Sequence, residues 1–229
     1  MQSKIIGTVL PVLELELAQG ESVIGVAEQL SWMAGGITLH TSASAGGGGG
    51  LFGMVSRAVS GAGIVTTEMR AEHGAGTVGF AARLPGQIVE VDVGQGAYLV
   101  HRHGFLCGTA GVAVSTAFQQ NLGAGVFGGD GLVLQKIAGS GKAFVELGGE
   151  IVKYELAAGQ SITAHPGHVG MFDEQVTFEV TTMRGIRSTF FATGDLFMAK
   201  LTGPGRGWLQ TLTAPGLAHT ISHYLPKQS

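Results

Sequence analysis

The sequence predicts an all-β fold of three internal repeats, and three observations carry that expectation. The segment Gly149–Val169 slides back by 63 positions, without a gap, onto Gly86–Leu106, and by 139 onto a fainter copy at Val12–Leu30. Gly149, Gly159 and Gly167 then fall on Gly86, Gly96 and Gly104, and Gly20 stands in for Gly159 in the first copy. A second module, G-x-G followed by an apolar run, recurs at Gly74–Ala82, Gly139–Leu147 and Gly203–Thr211, at spacings of 65 and 64. Between these glycines the chain alternates apolar and polar residues, with turn signals about every 8–12 residues, as in a sandwich or barrel. The repeats run about 5–82, 86–147 and 149–211, followed by a tail at 212–229, all within one domain over 1–229. Each unit is too small to bury its own sheet, so three in one chain imply a shared core, a pseudo-threefold axis and few short helices.

In chain order, Val12–Leu17 places Glu14 and Glu16 on one face and Leu13, Leu15 and Leu17 on the other, the period of a half-buried strand. Ala18–Glu21 reads as a turn and Ser22–Ala27 as the returning strand of a hairpin. Ser31–Thr41 follows, with Trp32, Ile37 and Leu39 as apolar anchors around Gly35-Gly36, before the glycine run Gly46–Gly50 breaks all regularity. Leu51–Ser60 changes period: Leu51, Met54, Val55, Ala58 and Val59 are spaced as one helix face. Leu51, Phe52, Met54, Val55 and Arg57 form a candidate interaction arm for a partner, a neighbouring subunit or a membrane surface. The plainer reading, preferred here, is a connection packed on its own subunit. Beyond Ile64 each unit is expected to hold one V-x-V-x-L hairpin and one G-x-G hairpin. Gly203, Gly205, Trp208 and Gln210 form a structural motif in the last module, with Trp208 as its buried anchor. Pro215–Tyr224 is the second expected helix, stopped by Pro226.

Composition excludes several classes. Charged residues are only 13% and mean hydropathy is +0.32, too little charge to cover a monomer, so self-association is expected. Net charge is −3 with no Lys or Arg run, which disfavours nucleic acid and anionic lipid as partners. The single Cys107 excludes an internal disulfide, and the start lacks a signal-peptide pattern, so a cytoplasmic location is expected. The uncharged stretches Gln29–Ser56 and His103–Gly129 read as buried strands, because the sibling of the second carries Asp173, Glu174 and Glu179. No transmembrane segment is expected.

The candidate sites are weak. His101 and His103, two apart on an expected strand, have the spacing of a cupin-type metal site, but no Glu follows and the sibling copy has Ala164 and Pro166. His219 and His223 are i, i+4, yet H-T-I-S-H lacks the Glu of H-E-x-x-H. His165 and His168 flank a Pro-Gly turn. Cys107 has apolar neighbours, as an inert packed thiol does. Glu14, Glu16, Asp92, Glu155 and Glu179 read as solvated strand faces. No nucleophile elbow and no phosphate loop are present, so no catalytic residue, cofactor or metal ligand is assigned.

The stretches Gly49–Phe52 with Arg57 and Ser60-Gly61, Leu84–Ile88, Val126–Leu134 with Gly139–Gly141, and above all Gly203–Gln210 carry a resemblance. The chain resembles the altered-inheritance-of-mitochondria protein 24 family, from about residue 20 to 212. The resemblance implies a β fold similar to the tryptophan RNA-binding attenuation protein, with repeats about a pseudo-threefold axis. Mitochondrial relatives are associated with inner-membrane organisation; bacterial ones have no established activity, and no catalytic residues carry over.

The expected function is a non-enzymatic, self-associating scaffold or interaction protein with an unidentified protein partner. The first alternative is an RNA or small-ligand binder using Arg102 or Arg206; the second is a metal-dependent cupin-like enzyme using His101 and His103.

Overall fold

A computed structural model describes residues 1–42, 66–120, 132–187 and 195–225. The candidate arm, Leu51, Phe52, Met54, Val55 and Arg57, lies outside the described residues, as does the whole helical stretch around it. The fold is all-β, with its sheet nearly closed into a barrel.

The first unit holds β1 (Gln2–Ile6), β2 (Val12–Leu17), β3 (Ser22–Gly25), β4 (Trp32–Ser42) and β5 (Thr66–Ala81). The second holds β6 (Gly86–Asp92), β7 (Tyr98–His101), β8 (Phe105–Thr109), β9 (Val112–Gln120), β10 (Leu132–Gly139) and β11 (Lys142–Gly148). The third holds β12 (Ile151–Leu156), β13 (Ser161–Ala164), β14 (Val169–Asp173), β15 (Thr177–Arg187), β16 (Asp195–Thr202) and β17 (Gly205–Gln210), and α1 (Ala214–Ser222) closes the described chain. Thr213 caps α1, its hydroxyl accepting from the Gly216 N–H, and Pro215 sits in the first turn where a missing N–H costs nothing.

All the pairing is antiparallel. In the second unit β11 pairs β6 and β8, while β10 pairs β7 and β9. In the third, β17 pairs β12 and β14, while β16 pairs β13 and β15. The first unit follows the same scheme with strands fused: the end of β5 pairs β2, its start pairs β3, and β4 runs along both. The register establishes this recurrence of pairing; a threefold axis relating the units stays an expectation.

The hairpin expectations need correction. β2 and β3 both pair β5 and not each other, and β6 and β7 belong to different sheets. None of the G-x-G segments closes a hairpin: Gly74–Gly76 runs within β5, whereas the other two are corners, Gly139–Gly141 carrying the chain from the sheet of β10 to that of β11, and Gly203–Gly205 from the sheet of β16 to that of β17. Gly141 at φ +96° and Gly205 at φ +138° adopt the left-handed conformations such a corner requires. A positive-φ glycine sharpens a bend; which strand lies beside it is decided by burial.

Two seams join the units. β3 pairs β8 between the first and second, and β7 pairs β14 between the second and third. Side chains from both neighbours fill the core at each seam. Leu13, Leu15, Phe80 and Met69 pack with Leu106, Cys107 and Phe144, and Tyr98, Val100 and Phe105 pack with Met171 and Trp208. A third cluster, around Phe172, Leu156 and Leu201, fills the last unit. Glu16, Asp92, Glu155 and Glu179 face outward as read from the alternation, and Glu14 is half-buried. Trp32 and Leu39 are not core anchors: each is 44% exposed, because β4 has β5 on one side and no strand on the other among the described residues.

Candidate functional site

Buried polar side chains cluster near the seams, at Glu146, Gln210, Asp173, Gln29 and Gln135. Glu146, near the end of β11, is buried, and its Oε1 accepts from the backbone N–H groups of Arg83 (2.8 Å) and Leu84 (3.1 Å). The Arg83 side chain reaches across to donate to the His103 carbonyl at 3.0 Å, with its Nε 3.8 Å from Glu146 Oε2. Gln210 stands 64 residues on, at the matching place in β17, and does the same work for the next unit. Its Oε1 accepts from the Gly148 N–H and its Nε2 donates to the Gly167 carbonyl, both at 2.9 Å. The second and third units therefore each end in a buried polar side chain that satisfies backbone groups where two units meet.

A cavity of about 140 Å³ opens beside the first seam, lined among others by Gln29, Gln135, Arg83, Arg102, His103 and Phe105. Gln29 and Gln135 are buried, and the Oε1 of each lacks a protein partner. A polar cavity of this size has room for several water molecules, and bridging water satisfies such groups.

His101 ends β7, and its Nε2 donates to the Glu146 carbonyl at 3.0 Å. His103 lies beyond the strand in the following turn, so the two imidazoles are not neighbours on one strand face, and the cupin spacing is lost. Among the described residues no group of three His, Cys, Asp or Glu side chains is placed to hold a metal ion. The ring of His101 is packed beneath Gly104, where a Cβ would stand 3.0 Å from Nε2. Burial pushes its pKa down from 6.5 to about 4, opposed by the Glu146 carbonyl and aided by the charges of His103 and Arg83.

This depression sets a pH dependence. The unfolded chain binds the proton near pH 6.5, as a free imidazole does, and the folded chain only near pH 4, so the unfolded state holds more protons between the two. Stability contributed by neutral His101 is complete above the upper limit and falls as pH drops through the window, by roughly 1.4 kcal/mol per unit and ~3 kcal/mol in all. Urea unfolding at about pH 7 and about pH 5 should show this slope in the native chain and a shallower one in His101→Gln, which keeps a donor but does not titrate.

At the second seam Asp173 clamps Arg206. The carboxylate accepts from the Arg206 backbone N–H (2.8 Å), from Nε (2.9 Å) and from Nη2 (2.9 Å), and Nη2 also lies 3.2 Å from Tyr98 Oη. These bonds hold the guanidinium pKa above its ordinary value, and its carbon lies 5.3 Å from the Trp208 ring centre. Arg206 is thus committed to packing the seam, and Arg102 lies at the other seam, so the structure does not unite them in one groove. Trp208 is 8% exposed, a buried anchor as expected, edge-on to Tyr98 at 6.1 Å.

The remaining candidates have structural places. His168 Nδ1 bonds the Gln210 carbonyl at 2.8 Å, and His165 accepts from the Gly167 N–H, which closes the 3-10 turn at Pro166–His168. His219 and His223 stack edge-on along exposed α1. Cys107 is fully buried at the first seam, and burial raises its thiol pKa. Sequence reading missed Glu146, Asp173, Gln29 and Gln135. The one signal for the first was positional: Glu146 and Gln210 occupy the same place in two copies of an otherwise apolar module.

A family model described as "Mitochondrial biogenesis AIM24" matches residues 3–212. An uncharacterised protein of Streptococcus pyogenes serotype M6, M6_Spy0233, is 28% identical over 223 residues, covering 96% of this chain and 88% of that one. The crystal structure of protein SPYM3_0169 from Streptococcus pyogenes superposes with a TM-score of 0.78 at 25% identity, covering 98% of this chain and 99% of that one. The seams, the corner modules and both buried polar anchors all fall within the matched span, and the chain belongs to the AIM24 mitochondrial-biogenesis family.

Proposed function

We propose that this protein is a non-enzymatic, self-associating scaffold or interaction protein. The observation that carries the reading is the apolar surface on its outer strands. Val9 is 70% and Leu10 56% exposed beside β1, and Trp32 and Met33 on β4 are 44% and 47% exposed. Large apolar side chains exposed on or beside outer strands mark surfaces that are covered in use. No helix among the described residues is long and apolar enough to cross a membrane. A cytoplasmic location accords with a lone, buried cysteine that has no disulfide partner.

A second reading, a binder of a small polar ligand, is favoured by one observation: the paired buried amides of Gln29 and Gln135 at the cavity. A native mass spectrum of the untagged protein, purified without chelators, separates the two. The scaffold reading expects a multimer with no added mass. A monomer at micromolar concentration overturns it, and an adduct of ligand mass moves the assignment to the second reading.

A further inference from the structure

The two seams apply one rule twice. The second repeated strand of a unit pairs, on its open side, with the third repeated strand of the next unit: β3 with β8, and β7 with β14. By the same rule β13 takes the strand of the first unit that corresponds to β8 and β14. That strand is the first half of β4, because Trp32 lies opposite Gly79 as Cys107 lies opposite Phe144 and Met171 opposite Trp208. Among the described residues β13 pairs only β16, and β4 pairs only β5. Among the described residues the two halves of a third seam are therefore present and unjoined.

Burial marks the same two edges. Cys107 and Met171 are fully buried, and Gly108 and Phe172 beside them are buried too, whereas their counterparts Trp32 and Met33 on β4 are exposed. On β13, Ile162 and Ala164 are only half-buried, whereas Tyr98 and Val100 at the matching places of β7 are buried. Side-chain size is also prepared. The indole of Trp32 lies over Gly79, where a Cβ would meet it at 2.3 Å, so the large member of this cross-strand pair stands on the open strand. Neither Trp32–Gly36 nor Ser161–Ala164 contains a charged residue or proline, the usual guards against strand addition. The open edges of β1, β6 and β12 do carry such charges, at Lys4, at Glu90 and Asp92, and at Lys153 and Glu155.

We propose that a second copy of this chain completes the third seam head to tail, β4 of one molecule adding antiparallel to β13 of the next. A second copy is the fitting occupant because the chain already specifies the register. Val100 and Gln135 are opposed as Ala164 and Ala199 are, 64 residues on, so Ala164 stands where Val100 does. Val100 faces Met171 and Leu99 faces Phe172 across the existing seam, which sets Trp32 against Ala164, Met33 against Thr163 and Ala34 against Ile162. The small Ala164 leaves room for the indole. The two surfaces differ, so the contact is heterologous and links copies into a ring or an open array. This interface rests on the self-association proposed above and names where it occurs.

Cysteine cross-linking of the full chain tests it. Met33→Cys and Thr163→Cys fall on exposed side chains, and directly opposed residues of antiparallel strands bring their Cβ atoms within about 4.5–5.5 Å, close to disulfide reach. Mixing the two single variants under mild oxidation should give a two-chain product on a non-reducing gel, above the level either variant forms alone. A one-chain cross-link confined to the double variant would mean that the molecule closes its own seam, which overturns the proposal. A multimer by native mass spectrometry without the cross-link would keep self-association and reject this interface. A monomer without the cross-link would reject both. As a covalent-free check, Trp32→Lys with Met33→Lys should convert the multimer to a monomer that keeps the native far-ultraviolet circular dichroism; a multimer that persists counts against the interface.

Discussion

Replacing Trp208 by alanine should destabilise the protein by on the order of 3–5 kcal/mol, read as a lower urea midpoint by far-ultraviolet circular dichroism. The indole is 8% exposed and belongs to the core shared by the second and third units. Tyr98 meets it edge-on, Met171 is its cross-strand neighbour, and Arg206 lies across its face. Truncation empties a space walled by strands of two sheets, which relax little, so a cavity term adds to the lost burial. Trp208→Phe should cost far less, because Phe144 occupies the matching position of the previous unit and is fully buried there. A loss below about 1 kcal/mol for the alanine variant would contradict the buried placement.

Gln210→Leu is expected to cost roughly 2–4 kcal/mol although it replaces a polar side chain by an apolar one of similar size. The buried amide joins the Gly148 N–H to the Gly167 carbonyl, and leucine leaves both without a partner. Gln210→Glu should fall between, since it keeps an acceptor for Gly148 but turns a carboxylate oxygen toward the Gly167 carbonyl. Equilibrium unfolding of the three proteins at neutral pH gives the order; a leucine variant as stable as the native chain would show that the amide is dispensable.

Strands were legible in the sequence and their partners were not. The alternation of Val12–Leu17 fixed which faces were apolar, and the burial of Leu13, Leu15 and Leu17 follows it. Gly139-Ser140-Gly141 announced a bend, but a bend between apolar runs reads equally as a hairpin or as a corner between sheets, and the difference lies in residues distant along the chain. Trp32 shows the same limit. An indole on a strand is expected inside, and only the strand beside it, or the lack of one, decides otherwise. Repetition singled out the Gly203–Gln210 segment, whereas no local pattern marks Asp173 or Glu146 as buried. Their burial depends on Arg206, 33 residues beyond Asp173, and on the Arg83-Leu84 backbone, 63 and 62 residues before Glu146, contacts that local sequence does not announce.

The joints between the units are sewn by main-chain bonds as well as by side chains. Pro85, just before β6, accepts from the Gly149 N–H at 2.8 Å, so the first linker is fastened to the second, and the Gly148 carbonyl accepts from Leu212 at the end of the third unit. A hinge needs a few residues free to change φ and ψ without breaking a ladder, and neither linker offers them. Rocking one unit against the next would tear a sheet, with a free-energy cost near that of unfolding rather than of a domain motion. The described strands therefore behave mechanically as one stiff body, and the units do not move against one another as separate domains.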